Sequence, residues 1–216
     1  MSRKFEKLGL GTVQFGMHYG IANHKGKTGY NELCKILNYA NKVNIDTLDT
    51  AKSYGESENV LGKYLSNNPE QNWNVITKVR LGPDSIINQI NDTIANLRTF
   101  PKAVLAHSKK DYLKPEFYSD LYKLKEKKIV EMVGVSVYNH NDIEEILSFH
   151  KPDLIQIPLN ILDTRLYLDG TLDYLVSNDI NIHIRSVFLQ GLFYLSTEEI
   201  KSKFPDAFDS LTGGET

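Results

Sequence analysis

The chain has 216 residues, of which 41% are hydrophobic, and its formal net charge is -2. This length and apolar content are enough for one sizeable core, so we predict a single domain over residues 1–216. The slightly negative charge argues against a nucleic-acid partner, because a nucleic-acid-binding surface needs a basic field.

The cysteine content and the distribution of apolar residues indicate in which cellular compartment the protein is expected. Cys34 is the single cysteine, so an internal disulfide framework and a cysteine-rich metal site are excluded. The first ten residues lack an apolar signal region, and no run reaches the roughly 18 apolar residues of a membrane span. We therefore expect a cytoplasmic protein with no membrane partner.

Short apolar runs typical of β-strands alternate with helical patterns along the chain. We predict strands that begin near Leu8, Asp46, Asn74, Ala103, Met132, Leu154 and Ile182. Several of these runs are almost continuously apolar, as expected for parallel strands covered by helices on the outside.

Four of the intervening segments carry apolar residues at the helical period of 3.6. The stripes are Leu33, Ile36, Leu37, Ala40 and Val43; Ile86, Ile87, Ile90, Ile94 and Leu97; Phe117, Leu121 and Leu124; and Ile143, Ile146 and Leu147. We expect the second helix to open at Asp84 and the third to carry Pro115 in its first turn.

The repeated βα pattern is compatible with an open doubly wound sheet or with a closed barrel. The open dinucleotide-binding sheet needs G-x-G-x-x-G after its first strand, and Gly9, Gly11 and Gly16 do not have that spacing. We therefore predict a (β/α)8 TIM-type barrel. An eighth strand would be due near residue 210, yet the sequence ends at Thr216 and such barrels typically run to about 250 residues. The barrel is expected to be about one βα unit short at the C-terminus.

Residues 45–58 contain several side chains that can donate or accept protons within a short stretch of the sequence. A strand ends there at Asp49, a turn at Gly55 carries Tyr54, and a helix is predicted to begin at Ser57. The next two strands end at Lys78 and at His107. Because consecutive strands of a barrel are neighbours and chemistry sits at their carboxyl ends, we expect these side chains to converge on one rim.

This set of residue types suggests proton-transfer chemistry. Asp49 and Lys78 can neutralise each other where burial of an unpaired charge would be costly. We expect Lys78 to favour the phenolate of Tyr54 and so to lower its pKa, which would make Tyr54 a proton donor near neutral pH.

The segments DTAKSYGESE, LGLGTVQFG, ITK, LAH and GVSVYN, in this order, resemble the aldo-keto reductase family. The likeness extends from about Leu8 to residues 188–192. Members of that family are (β/α)8 barrels that reduce carbonyl compounds with NAD(P)H. The resemblance implies that Tyr54 is the general acid, that Lys78 and Asp49 tune it, and that His107 orients the carbonyl group.

The resemblance also implies where a cofactor would bind. Nicotinamide contacts would fall on Ser136 and Gln156, and Gly11 and Thr12 would lie beside the ribose, with Asp49 close by. The pyrophosphate would lie along residues 186–191. The implied cofactor contacts at this end of the chain are Arg185, Ser186, Leu189 and Gly191.

Two departures from the family pattern are visible in the sequence. Val137 follows Ser136 where members often have asparagine, so one carboxamide ligand is missing or is replaced by Tyr138 or Asn139. Arg185 stands where many members place an aromatic residue against the nicotinamide. Nothing after Gly191 supplies the basic residues that hold an adenosine 2′-phosphate, so NADPH is expected as the family default and NADH stays open.

Other functions are compatible with the same residues. The first alternative is a binding or regulatory protein that keeps the rim but does not turn over. The second is a barrel enzyme that uses Lys78 as a Schiff-base amine, which a lowered pKa would support and the neighbouring Asp49 would oppose. A hydrolytic metal site is disfavoured, because the histidines show no paired ligand spacing. The expected partner is a small-molecule carbonyl substrate, whose identity the sequence does not reveal, and the oligomeric state is open.

Overall fold

A computed structural model of the chain describes residues 7–208 and residue 211. Seven strands form one sheet in which each strand pairs, in parallel, with the next strand of the sequence. They are β1 (Gly9–Gly11), β2 (Thr47–Asp49), β3 (Asn74–Val79), β4 (Ala103–Ala106), β5 (Met132–Ser136), β6 (Leu154–Pro158) and β7 (Asn181–Arg185). Each strand begins within one residue of its predicted start, so the strand predictions are confirmed.

Helices occupy the connections between the strands. They are α1 (Val13–Gly16), α2 (Tyr30–Lys42), α3 (Ser57–Asn67), α4 (Ile86–Leu97), α5 (Lys109–Tyr112), α6 (Pro115–Glu126), α7 (His140–Phe149), α8 (Arg165–Leu168), α9 (Thr171–Ser177) and α10 (Thr197–Lys203). Short 3-10 helices cover Leu189–Tyr194 and Pro205–Ala207. No helix in residues 7–208 combines the length and apolarity needed to cross a membrane.

The four predicted helical stripes correspond to α2, α4, α6 and α7, and α3 begins at Ser57 as expected. One boundary is wrong. Ser85, rather than Asp84, caps α4, because its hydroxyl oxygen accepts a hydrogen bond from the backbone N–H of Asn88 at 3.2 Å. Pro115 occupies the first turn of α6, where the missing N–H of proline costs no hydrogen bond.

The sheet curls into a half-barrel with helices alternating between its strands, an incomplete (β/α)8 barrel. Within the described residues β1 and β7 are the two edges of the sheet and do not pair with each other. The predicted eighth strand, near residue 210, lies outside the described residues, because residues 209–210 and 212–216 are not described.

Two layers of apolar side chains fill the fold. The larger layer lies between the sheet and the helices and includes Val104, Val133 and Ile155. A smaller cluster on the other face of the sheet is formed by Ile76, Ala103, Leu105 and Leu154. Because side chains alternate along a strand, the residue two positions beyond Ile76 and Leu105 shares this inner face. These residues are Lys78 and His107, so a polar rim lies directly above an apolar floor.

The turn that carries Tyr54 packs tightly against the end of α1. A β-carbon added at Gly16 would lie 1.7 Å from the carbonyl oxygen of Tyr54 and 2.4 Å from the nitrogen of Ser57. The backbone N–H of Glu56 donates to the Gly16 carbonyl oxygen at 3.3 Å. Only glycine allows this approach, so α1 sets the position of the turn.

We expect Gly16→Ala to lower the free energy of unfolding by about 1–3 kcal/mol, because the added methyl group overlaps backbone atoms that are already packed. Thermal and denaturant unfolding would measure the change. Gly82→Ala is the matched control, since a β-carbon there meets no atom within 4 Å. Equal stability of the two variants would contradict this packing.

Candidate active site

Four chemically active side chains lie at the carboxyl ends of three neighbouring strands. Asp49 is the last residue of β2, Lys78 lies near the end of β3, and His107 directly follows β4. Tyr54 lies in the turn between β2 and α3. Because β2, β3 and β4 are adjacent in the sheet, their ends form one continuous rim.

The centre of this rim is an ion pair between Lys78 and Asp49. The Lys78 Nζ lies 2.6 Å from Asp49 Oδ1, and the side chains are 2% and 22% exposed. Lys78 Nζ also donates to the carbonyl oxygen of Thr50 at 3.0 Å. An ammonium group this deeply buried requires such partners, because its hydration has been removed.

Tyr54 contacts both neighbouring strands. Its ring centroid lies 5.2 Å from Lys78 Nζ. The rings of Tyr54 and His107 meet edge to face, with centroids 6.5 Å apart and planes at 89°. The structure therefore brings together the acid, the amine, the imidazole and the phenol that the sequence places on separate segments.

Hydrogen bonds among buried threonine and serine hydroxyl groups connect the segments that carry Asp49 and Tyr54. Thr12 Oγ1 donates to the Asp49 carbonyl oxygen at 3.0 Å and lies 2.9 Å from Ser57 Oγ. Thr50 Oγ1 donates to Ser57 Oγ at 3.0 Å. All three hydroxyl residues are 0% exposed. Thr12 therefore has no exposed surface and links β1 to the Tyr54 turn, and its expected place beside a cofactor ribose stays a prediction.

The pKa of Tyr54 differs from the sequence expectation. Burial and the negative charge of Asp49 raise the pKa of Tyr54 to about 12, and the guanidinium of Arg185 only partly opposes this. The prediction that Lys78 lowers this pKa is wrong, because Lys78 is already neutralised by Asp49 at hydrogen-bonding distance. Tyr54 therefore keeps its proton throughout the neutral range.

The other titratable groups of the rim also respond to burial. Burial, together with the charge of Lys78, lowers the pKa of His107, so its imidazole is neutral at pH 7 and offers one N–H donor. Burial lowers the pKa of Lys78 as well, and Asp49 opposes that shift. The combination is a neutral imidazole and a protonated phenol on either side of an ion pair.

Gln156 connects the far side of the half-barrel to the same carboxylate. Its Nε2 donates to Asp49 Oδ1 at 3.0 Å. Its Oε1 is buried and has no hydrogen-bond partner within residues 7–208. Ser136 is the register partner of Gln156 on β5. A buried amide oxygen that accepts no hydrogen bond from the protein can accept one from an N–H group of a ligand.

Arg185, at the end of β7, holds the groups around it in a fixed arrangement. Its Nε donates to Ser136 Oγ at 3.2 Å, and its Nη2 donates to the Val137 carbonyl oxygen at 3.2 Å. The guanidinium carbon lies 4.2 Å from the ring centroid of Tyr138. Asn139 caps α7 by accepting from the Asp142 N–H at 2.9 Å, so its side-chain oxygen is already engaged.

The loop after β7 has an unusual backbone. Ser186, Leu189 and Gln190 adopt positive φ angles of 61°, 47° and 57°, which non-glycine residues rarely do, and Gly191 has a φ of 91°. Two of its N–H groups, on Leu189 and Gly191, already donate to carbonyl oxygens inside the loop. Those two groups are therefore not free to bind a phosphate, although the loop lies where the resemblance places one.

A small cavity of about 90 Å³ opens beside Lys78 and His107. It is lined by Lys52, Ser53, Lys78, Arg80, Gln89 and His107. The sequence reasoning missed Arg80 and Gln89. The only signal for Arg80 was its position two residues after Lys78, whereas Gln89 reaches the cavity from α4, which no local pattern reveals.

The geometry opposes the Schiff-base alternative. Burial lowers the pKa of Lys78, which is the direction that this chemistry requires. However, Nζ donates to Asp49 and to the Thr50 carbonyl oxygen, so the charged form is the one that the site binds. A nucleophilic amine would have to break both contacts.

We expect Asp49→Asn to lower the free energy of unfolding by about 3–5 kcal/mol, because it leaves the buried ammonium of Lys78 without a counter-charge. Denaturant unfolding measures the loss. Lys52→Gln is the control, since Lys52 pairs with Asp92, whose side chain is 64% exposed, and such a pair contributes less than about 1 kcal/mol. Similar losses in the two variants would show that burial does not dominate the Lys78 pair.

The raised pKa of Tyr54 predicts a specific alkaline titration. The folded state holds this proton beyond the ordinary pKa of 10.0, so the associated stability is fully present below pH 10 and is lost as the pH rises through about 12. The difference in tyrosinate absorbance between the unmodified protein and Tyr54→Phe should stay near zero up to pH 10 and grow towards pH 12. A difference already present below pH 10 would contradict the burial of this phenol.

Comparisons with known proteins agree with this architecture. The sequence profile of the Aldo/keto reductase family matches residues 7–211. No match was found among curated proteins.

Solved structures with the same fold include several aldo-keto reductases. A Pseudomonas aeruginosa protein assigned as an aldo-keto reductase superposes with a TM-score of 0.71 at 24% identity, over 94% of this chain and 80% of that one. The holo form of aldo-keto reductase AKR11C1 from Bacillus halodurans gives 0.69 at 22% identity, over 86% and 63%. An aldo/keto reductase from Klebsiella pneumoniae gives 0.72 at 17% identity, over 91% and 71%. At these identities the likeness shows a shared fold, and the sequence profile, which covers almost the whole chain, shows that this protein belongs to the aldo/keto reductase family.

Proposed function

We propose that this protein reduces a small-molecule carbonyl compound to an alcohol, with NADPH as the hydride donor and Tyr54 as the general acid. Membership of the aldo/keto reductase family implies oxidoreductase activity. The observation that carries the finer proposal is the protonated phenol of Tyr54, which lies against Lys78 and His107 at the strand ends.

Tyr54 has the properties of a proton donor at neutral pH. With a pKa of about 12 it is fully protonated before the reaction. As negative charge develops on the carbonyl oxygen, the Tyr54 hydroxyl donates its proton to that oxygen. The ammonium group of Lys78, 5.2 Å from the ring, then stabilises the phenolate that remains.

His107 and Asp49 have supporting roles in this proposal. The neutral imidazole of His107 can donate one N–H to the carbonyl oxygen and so orient the substrate next to Tyr54. Asp49 keeps Lys78 charged and in place through the 2.6 Å contact. Neither residue has to change its protonation state during the reaction.

The residues present fit a nicotinamide cofactor. The buried, unpartnered Oε1 of Gln156 suits the N–H2 group of the nicotinamide carboxamide. A β-carbon added at Gly11 would meet no atom within 4 Å, so open space adjoins this strand end. When bound, the cofactor supplies the hydride. NADPH is favoured because the Klebsiella pneumoniae structure is a complex with NADP and acetate, and NADH stays open.

A binding or regulatory role without turnover is the second candidate. Two of the cofactor contacts that the resemblance implies are engaged inside the protein, because Thr12 is buried and Ser136 accepts from Arg185. In such a protein a cofactor or metabolite would bind at the rim without reaction.

Tyr54→Phe separates these two candidates. We expect this variant to lose carbonyl reduction by about 10²- to 10⁴-fold, as is typical for the removal of a general acid, and to bind NADPH with nearly unchanged affinity. Oxidation of NADPH in the presence of aldehydes measures the rate. Binding is best followed by the fluorescence of the nicotinamide, because Trp73 lies at the amino end of β3, away from Lys78.

Tyr39→Phe is the matched control, since Tyr39 is 68% exposed on α2, away from the rim. Turnover that survives in Tyr54→Phe would show that the acid is misassigned. Saturable NADPH binding without turnover of any aldehyde by the unmodified protein would favour the second candidate.

A further inference from the structure

We propose that Arg185 binds an anionic group of the substrate, a carboxylate or a phosphate, so that the protein selects negatively charged carbonyl compounds. This inference rests on the proposed function and specifies its substrate class. It is carried by a guanidinium at the rim that has no carboxylate partner and retains free donors within the described part of the chain.

The hydrogen bonds of Arg185 are all to neutral oxygens. They go to Ser136 Oγ at 3.2 Å, to Ser186 Oγ at 3.3 Å and to the carbonyl oxygen of Val137 at 3.2 Å. A guanidinium has five N–H donors, so these three bonds leave two. No aspartate or glutamate of residues 7–208 forms an ion pair with Arg185, in contrast to Arg165, which pairs with Asp163. The positive charge is thus available to an external anion.

Arg185 faces the reaction site. It lies two positions after His183 on β7, so both side chains lie on the same face of the sheet. His183 is the register partner of Gln156, which bonds to Asp49. The charge of Arg185 also helps to lower the pKa of His107 and of Lys78, which requires that the guanidinium be close to the rim.

The guanidinium is held in place before any ligand arrives. Its three hydrogen bonds fix it at two backbone segments, and the ring of Tyr138 lies 4.2 Å from its carbon. A planar, prepositioned guanidinium is well suited to carboxylate and phosphate groups, because less side-chain entropy is lost when they bind.

Arg80 adds a further positive charge near the rim, whereas Lys52 and Lys78 are paired with Asp92 and Asp49. The adjoining cavity is lined by Lys52, Lys78 and Arg80 together with neutral groups, and no carboxylate is among its lining residues within the described chain. Asp49 is already neutralised by Lys78. A negatively charged substrate therefore enters a favourable field, whereas a neutral one leaves Arg185 without a counter-charge.

Matched substrates test the proposal. We expect a lower KM for 4-carboxybenzaldehyde than for its neutral analogue methyl 4-formylbenzoate. Arg185→Gln should raise the KM for the charged substrate about 10- to 100-fold more than the KM for the ester, because a charge-assisted contact is lost only with the anion. Arg185→Lys should restore part of the difference, since it keeps the charge but not the planar donor pair.

Two control measurements identify the source of the anion. NADPH affinity, followed by cofactor fluorescence, should change much less in Arg185→Gln than the affinity for the charged substrate. A large loss of NADPH affinity would mean that Arg185 binds a cofactor phosphate, and would overturn the proposal. Arg80→Gln should keep the preference for the charged aldehyde; if it removes the preference instead, the anion binds in the adjoining cavity and not at Arg185.

A binding experiment keeps this test separate from the proposed activity. Calorimetry with 4-(hydroxymethyl)benzoate, the corresponding alcohol, requires no turnover. We expect it to bind the unmodified protein about 10- to 100-fold more tightly than Arg185→Gln. If no aldehyde is reduced and this difference is observed, the reductase assignment fails and the anion site stands. Equal affinity for the two proteins would overturn the anion site, whatever the activity.

Discussion

The buried ion pair between Lys78 and Asp49 is the interaction on which the arrangement of the rim depends. A single oxygen, Asp49 Oδ1, accepts from Lys78 Nζ at 2.6 Å and from Gln156 Nε2 at 3.0 Å. One carboxylate therefore joins the neighbouring strands β2 and β3 to β6, which lies three strands further along the sheet. In the low-dielectric interior these bonds are strong, and leaving any of the partners unpaired would be costly. The ion pair thus sets both the spacing and the protonation of the groups around it.

Burial, together with the charge of Asp49 in the same pair, explains why Tyr54 remains protonated. A lysine seen in isolation should favour the phenolate, but Lys78 is neutralised by its contact with Asp49. Burial of the phenol then acts without opposition from Lys78, and the carboxylate adds to it. For a proton donor this is a suitable ground state, because the proton is held until charge develops on a bound oxygen. In the proposed reaction, Lys78 acts only after the proton has left Tyr54.

Arg185 makes the side of the site formed by β5 and β7 positively charged, where an aromatic residue would make it apolar. An aromatic residue there would present a flat apolar surface, whereas Arg185 presents a cation that is stacked on Tyr138 and bonded to Ser136. The hydroxyl of Ser136, a candidate cofactor contact, is therefore shared with the guanidinium. Gln156, by contrast, keeps a buried oxygen that accepts no hydrogen bond from residues 7–208. The two candidate nicotinamide contacts are thus unequal, because the Ser136 oxygen already accepts a hydrogen bond and the Gln156 oxygen accepts none from the described residues.

Much of the fold and part of the site could be predicted from local sequence. The strand starts and the four helical stripes are local patterns of apolar residues, and the strand-end positions of Asp49, Lys78 and His107 follow from them once parallel βα units are assumed. The full burial of Thr12 could not be predicted, because it depends on α1 packing against the Tyr54 turn, which is far away in sequence. The cap of α4 shifted by one residue because Ser85 and Asp84 both suit that position and only backbone geometry selects one.

The sequence by itself determined the order of the βα units and the residue types delivered to each strand end, because both depend on short-range periodicity. The tertiary structure alone decided which of those groups are paired, which pKa values are raised or lowered, and that Arg185 has no carboxylate partner within the described residues. Those properties depend on desolvation and on distances between groups from β2, β3, β6 and β7. Such distances are set by the curl of the sheet and the packing of its helices, which no local stretch of sequence specifies.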